Sequence, residues 1–267
     1  MERRLTIHLD PNRGNDDTKE LELCSKYLGR DEVVTQYGKV IRRNIRVDNH
    51  DRYYLILEPE LVDENTGLLI YYHGSRDDAW MNALYTTRYI EYAIKANLII
   101  VFGQAKGERE LPHIDKYYGS VSHGNLYWEI RDNAPQFTND LHYTEKILLD
   151  VSHNNNRVYF IGHSNGGVFA CLVAIYLSEI FTAIVSHMGG IGYDPHFYLD
   201  FKDTKTKVPL LFYTGEHDIH KFPCQAARDI FITEDYPVVD ILIERNIGHQ
   251  YKYTCESFIM EWLCNFK

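Results

Sequence analysis

One six-residue turn constrains this chain more than any other feature: Gly162-His163-Ser164-Asn165-Gly166-Gly167. Before it runs Arg157-Val158-Tyr159-Phe160-Ile161, short, apolar and rich in β-formers, which reads as a buried strand. After it, residues 168–177 are apolar for long enough to make a buried helix. A strand-to-helix turn with serine at its apex is a nucleophile elbow. Glycine is required at 162 and 166 because the turn is tight and a Cβ at either place would strike the neighbouring helix or strand. The serine is thereby pushed clear of the sheet, above the positive end of the following helix. Gly-x-Ser-x-Gly also turns up by chance in loops, so the rest of the chain has to decide.

The pattern around the turn alternates strands with helices. Residues 41–47 and 53–57 read as a hairpin pair around Asp48-Asn49-His50-Asp51, and 68–72 and 98–102 as buried parallel strands. A helix is expected over 86–97, and a second, amphipathic one over 137–151. Strands follow at 158–161, 183–186, 210–213 and 241–244. Residues 223–232 read as a helix with proline in its first turn, and 254–264 as a closing helix with Phe258, Ile259, Trp262 and Leu263 on one face. Such alternation implies an α/β class: a mostly parallel sheet covered on both sides. No linker or repeat divides the chain. It reads as a polar lead-in over 1–39, with a strand and a short helix packed on or flanking the rest, and a single domain over 40–267. The long irregular stretch is 104–136; its Tyr117, Tyr118, Tyr127 and Trp128 make it a pocket wall or an aromatic-pinned surface excursion, with Trp128 and Tyr127 as candidate substrate contacts.

Composition excludes several classes. With 267 residues the chain can bury roughly three quarters of its unfolded surface, enough for a full core. The net charge is −10 with no long basic run, so the positive footprint of a nucleic-acid binder is missing. No apolar segment follows the polar start Met1–Leu5, so neither a signal peptide nor a membrane span is expected, and the location reads as cytoplasmic. The five cysteines, Cys24, Cys171, Cys224, Cys255 and Cys264, are scattered, which reads as free thiols in a reducing compartment. No metal site is expected; the His217-Asp218-Ile219-His220 run is better explained by a catalytic acid within it.

A serine hydroxyl needs a base, and the base needs a carboxylate to set its tautomer and stabilise its imidazolium. The chain order serine, acid, histidine is one in which this constellation recurs. After the strand Val208-Pro209-Leu210-Leu211-Phe212-Tyr213 comes Thr214-Gly215-Glu216-His217-Asp218, placing a carboxylate where sheet ligands bind. Asp218 is the expected acid, a few residues past the strand-ending glycine, and Glu216 its rival. Gly248-His249, between the last strand and the last helix, offers the base. His217 and His220 precede that strand and break the order, and His163 lies inside the elbow, pointing the wrong way for a base. An oxyanion hole needs two backbone N–H groups. Asn165 supplies one, and Ser75, in Tyr71-Tyr72-His73-Gly74-Ser75, the other; Gly74 lets the backbone approach the substrate and His73 braces the loop.

With these residues in view, the sequence resembles an α/β-hydrolase of the polyhydroxybutyrate depolymerase and feruloyl esterase group. The matching blocks are Leu68-Leu69-Ile70-Tyr71-Tyr72-His73-Gly74-Ser75, Asn156 through Gly167, Phe181-Thr182-Ala183-Ile184-Val185-Ser186, Gly215-Glu216-His217-Asp218 and Gly248-His249, spanning about residues 40–265. The resemblance implies an α/β-hydrolase fold and a cofactor-free esterase with Ser164 as nucleophile, Asp218 as acid and His249 as base, acting on a small-molecule ester. Secreted members carry a signal peptide and a disulfide near the active site; neither pattern stands here, nor does a polymer-binding domain, which argues against polyester and plant-wall substrates. The elbow is also close to those of acyl-thioesterases. A thioesterase or small-peptide hydrolase would share the triad and differ in the leaving group. A binding protein on the same fold would lack a reactive serine.

Overall fold

The computed structural model describes residues 5–6, 30–108, 126–130, 135–192, 199–202, 204–250 and 255–267. Among the described residues, twelve strands and six helices are named in chain order. The strands are β1 (Leu5–Thr6), β2 (Glu32–Thr35), β3 (Gly38–Val47), β4 (His50–Leu57), β5 (Gly67–Tyr72), β6 (Leu98–Gly103), β7 (Gly107–Glu108), β8 (Leu126–Tyr127), β9 (Val158–His163), β10 (Ala183–His187), β11 (Leu210–Gly215) and β12 (Val239–Glu244). The helices are α1 (Ala79–Met81), which runs into a wide turn over Asn82–Thr86, α2 (Tyr89–Lys95), α3 (Pro135–Asp150), α4 (Asn165–Tyr176), α5 (Lys221–Thr233) and α6 (Glu256–Cys264).

Ten strands form one sheet in the order β1-β2-β3-β4-β6-β5-β9-β10-β11-β12. From β6 to β12 every pairing is parallel, while β2-β3, β3-β4 and β4-β6 are antiparallel. The central strands β5, β6, β10 and β11 are buried along their full length, as sheets covered on both faces require. Side chains alternate between two cores: Leu68, Ile70 and Tyr72 join α3, α4 and α5 on one face, and Leu69 and Tyr71 join α2 and α6 on the other.

The expected hairpin is β3-β4, closed at Asp48, whose φ of +52° suits a two-residue turn. Its strands are longer than expected because register, not apolar content, carries them to the ends. The lead-in joins the same sheet where it is described: β2 pairs with β3 across residue 39/40, and β1 adds parallel to β2. The short helix expected there lies outside the described residues, as do Tyr117 and Tyr118.

Several helices differ from the sequence pattern, three of them for a visible reason. The helix expected from 86 starts at Tyr89, because Thr87 is extended and the buried Glu256 carboxylate, from α6, accepts the N–H of Arg88 with both oxygens at 3.0 Å. α5 starts two residues earlier than expected, with Pro223 still in the first turn, where the missing N–H costs nothing. In α6 the buried face is Glu256, Ile259, Met260, Trp262 and Leu263; Phe258 is 42% exposed and not on it.

Candidate active site

The sheet fixes where a site can form. The chain leaves β5 through α2, on one face, and leaves β9 through α4, on the other, and the two strands are neighbours. Their carboxyl ends therefore open a crevice at the point where the topology changes direction. The loop 73–75 leaves β5 there, and Ser164 leaves β9.

Ser164 sits at φ +52°, ψ −115°, held by its N–H donating to the His187 carbonyl at 2.8 Å. A Cβ on Gly162 would run into the backbone of Gly166, and one on Gly166 into the carbonyls of Tyr72 and His73. Both glycines are therefore sterically required, as the sequence implies. A Cβ on Gly74 would lie 3.1 Å from that of Ser164, so the β5 loop rests directly on the serine.

Asp218 and His249 arrive from β11 and β12. The ends of these strands are drawn together at Gly215, where a Cβ would meet the Ile247 carbonyl, and by the N–H of His217 donating to that carbonyl at 2.8 Å. The result is a continuous chain: Ser164 Oγ lies 2.9 Å from His249 Nε2, and His249 Nδ1 lies 2.9 Å from Asp218 Oδ1. Asp218 is buried, and its Oδ1 also accepts the N–H of His220 at 2.7 Å. Burial alone would raise this carboxyl, but the hydrogen bond and charge of His249, with the His220 N–H, outweigh it and hold Asp218 below the usual carboxylate range.

The rivals stand apart. Glu216 is partly exposed and accepts the N–H of Asn246 at 3.1 Å. His217 faces solvent. His220 turns Nδ1 to the Gly189 carbonyl at 3.0 Å and lays its ring 4.9 Å from that of His249. His163 also stacks against His249, 6.0 Å between ring centroids, with its ring nitrogens buried. His187, which the sequence reading did not single out, packs 5.0 Å from His163. Burial holds these neighbours uncharged: His187 is pushed down to about 3, His163 well below its ordinary value, and His220 also lowered.

His73 is buried and neutral by geometry: the N–H of Ala105 donates to Nε2 at 3.1 Å, so the ring proton is on Nδ1, which donates to the Gly74 carbonyl at 2.7 Å. Burial pushes this imidazole down to about 4. Among the described residues, no acceptor takes the N–H of Ser75 or of Asn165. Among the described residues, no three His, Cys, Asp or Glu side chains converge as metal ligands would.

Trp128 and Tyr127, the candidate substrate contacts, both lie buried. Trp128 is wholly buried, stacked on Tyr72 at 3.7 Å with its Nε1–H donating to the His73 carbonyl at 3.0 Å. Tyr127 is also buried, its hydroxyl donating to Glu129 at 3.3 Å. An aromatic pair in an irregular stretch reads the same from sequence whether it lines a pocket or plugs a core, and the hydrogen-bonding indole found its partner inside. The segment 126–130 carrying both rings, hereafter the strap, rests on the elbow: Asn165 accepts the N–H of Trp128 through Oδ1 at 2.6 Å and donates to its carbonyl through Nδ2 at 3.1 Å.

The strand order, the elbow at the carboxyl edge of the sheet and the helices on both faces define the α/β-hydrolase fold. Solved structures agree at the level of fold. An S-formylglutathione hydrolase from Agrobacterium tumefaciens superposes with a TM-score of 0.63 at 14% identity, over 88% of this chain and 97% of that one. An arylesterase gives 0.62 at 13% identity, over 97% and 99%. A ferulic acid esterase gives 0.61 at 13% identity, over 85% and 97%. In sequence, the chain is 27% identical over 260 residues to a protein of Acanthamoeba polyphaga mimivirus named as an uncharacterized hydrolase, covering 86% of this chain and 83% of that one. No family model matches the sequence.

Proposed function

We propose that the protein is a serine hydrolase that cleaves a carboxylic ester through an acyl-enzyme. The observation that carries this reading is the hydrogen-bonded chain Ser164 Oγ–His249–Asp218, with both links at 2.9 Å. His249 takes the Ser164 proton as Oγ attacks the carbonyl carbon, and Asp218 stabilises the imidazolium that results. The N–H groups of Asn165 and Ser75 bind the oxyanion. The tetrahedral intermediate collapses as His249 protonates the leaving alcohol. Water, deprotonated by His249, then attacks the acyl carbonyl and restores Ser164. These steps use only protein groups and water.

The Agrobacterium neighbour is named for hydrolysis of S-formylglutathione, a thioester, and a thioester would follow the same steps here with a thiol leaving. Matched oxygen esters, thioesters and amides assayed side by side decide the leaving group. The reading itself is tested with a fluorophosphonate and intact-protein mass. One adduct on the wild type and none on Ser164→Ala is expected, with turnover lost in the variant and its fold retained. A folded wild type that takes no label would point instead to a binding protein on a hydrolase fold.

A further inference from the structure

The two N–H groups assigned above to the oxyanion belong to segments far apart in sequence. Asn165 follows β9, and Ser75 follows β5. Both donors must lie about 2.7–3.1 Å from one developing oxygen, and a displacement of about 1 Å is enough to cost turnover heavily. Something must set their spacing.

We propose that the strap, residues 126–130, does so, with Asn165 and Trp128 as positioning residues; this rests on the reading of Ser164 as the nucleophile. On the elbow side, the Asn165 carboxamide pairs with both the N–H and the carbonyl of Trp128, at 2.6 and 3.1 Å. Two bonds to one residue fix orientation as well as position. On the loop side, Trp128 Nε1–H donates to the His73 carbonyl at 3.0 Å and the Arg76 N–H donates to the Leu126 carbonyl at 2.8 Å. These two bonds bracket Gly74 and Ser75. A third attachment ties the strap to the scaffold: the Glu129 N–H donates to Asp140 Oδ2 at 2.9 Å, and Asp140 Oδ1 pairs with Arg52 at 2.6 Å, with both side chains buried. The residue whose backbone donates to the oxyanion thus uses its side chain to hold the segment that positions the other donor.

Asn165→Ala and Trp128→Phe test this. Asn165 is only half-buried, so its truncation leaves the core intact; phenylalanine at 128 keeps a ring against Tyr72 but loses the Nε1 donor. Turnover of p-nitrophenyl acetate is measured per active site, counted by fluorophosphonate at saturation. The expected result is a fall in kcat of about tenfold or more with KM changed less than about twofold, a part of the 10²–10³ that a lost oxyanion donor costs. The affinity for a trifluoromethyl ketone, whose adduct places an oxyanion in the hole, falls by the same factor as kcat/KM. A purely structural role would lower the melting temperature without that parallel. A kcat per titrated site within twofold of wild type for folded Asn165→Ala overturns the proposal, whether or not Trp128→Phe folds. Wild type and Ser164→Ala run alongside: a wild type that neither labels nor turns over counts against the nucleophile itself, a different result from unchanged variants beside a working wild type.

Discussion

Ser164 occupies a backbone conformation that costs a non-glycine residue on the order of 1–3 kcal/mol. It is kept there by the His187 carbonyl and by two flanking glycines whose missing Cβ atoms make room for the turn. This was legible in the sequence because the constraint is local: only glycine fits, and the spacing shows it. The sequence pointed to Asp218 and His249 by their position after their strands, and in the structure they stand in one hydrogen-bonded line with Ser164, while Glu216 and His220 make other bonds and His217 faces solvent. The test at this scale is Asp218→Asn. A carboxamide can turn an N–H toward His249 and so favour the wrong imidazole tautomer, and kcat is expected to fall by on the order of 10³–10⁴ with little change in melting temperature. Near wild-type turnover in that variant would remove Asp218 from the mechanism. Trp128 was illegible for the opposite reason: whether an indole meets substrate or core depends on Tyr72 and His73, more than fifty residues away.

Among the elements, the sequence period gave the identity of helices and strands more securely than their ends or faces. α2 begins where a carboxylate from α6 receives the Arg88 N–H, a contact between positions 168 residues apart. α6 shows how a face can be misread by one position. Phe258 is apolar and neighbours Ile259, yet the helix turns it outward while Ile259 is fully buried. Urea unfolding separates the two. Phe258→Ser is expected to leave stability within about 0.5 kcal/mol, whereas Ile259→Ala should cost about 2–5 kcal/mol by opening a cavity against α2 and the sheet. Equal costs for the two substitutions would contradict the face described for α6.

For the molecule as a whole, the buried histidines make stability depend on pH. His73 and His187, both wholly buried, are held neutral by burial, with His73 pushed down to about 4 and His187 to about 3. In the unfolded chain each protonates near 6.5. Between that value and the folded ones, the unfolded state binds more protons, so stability rises with pH there. The contribution is complete above about pH 7 and is lost as pH falls, by about 1.4 kcal/mol per pH unit for each histidine. Asp218, held low in the fold, acts in the same direction at more acid pH. Urea midpoints at pH 7.5 and 5.0 should therefore differ, with the lower one at pH 5.0; coincident midpoints would mean that these rings are protonated or solvated in the fold.

What the sequence determined by itself was everything set by near neighbours: alternating strands and helices through hydrophobic period, the elbow through turn sterics, and the order of Ser164, Asp218 and His249 along the chain. The tertiary structure alone decided what depends on surroundings brought from a distance. It put Trp128 and Tyr127 inside, turned Phe258 out, capped α2 with Glu256 and surrounded His249 with neutral imidazoles. The physical reason is that period and turn chemistry act over a few residues, whereas burial and the hydrogen-bond partners of a buried polar group are properties of the packed whole.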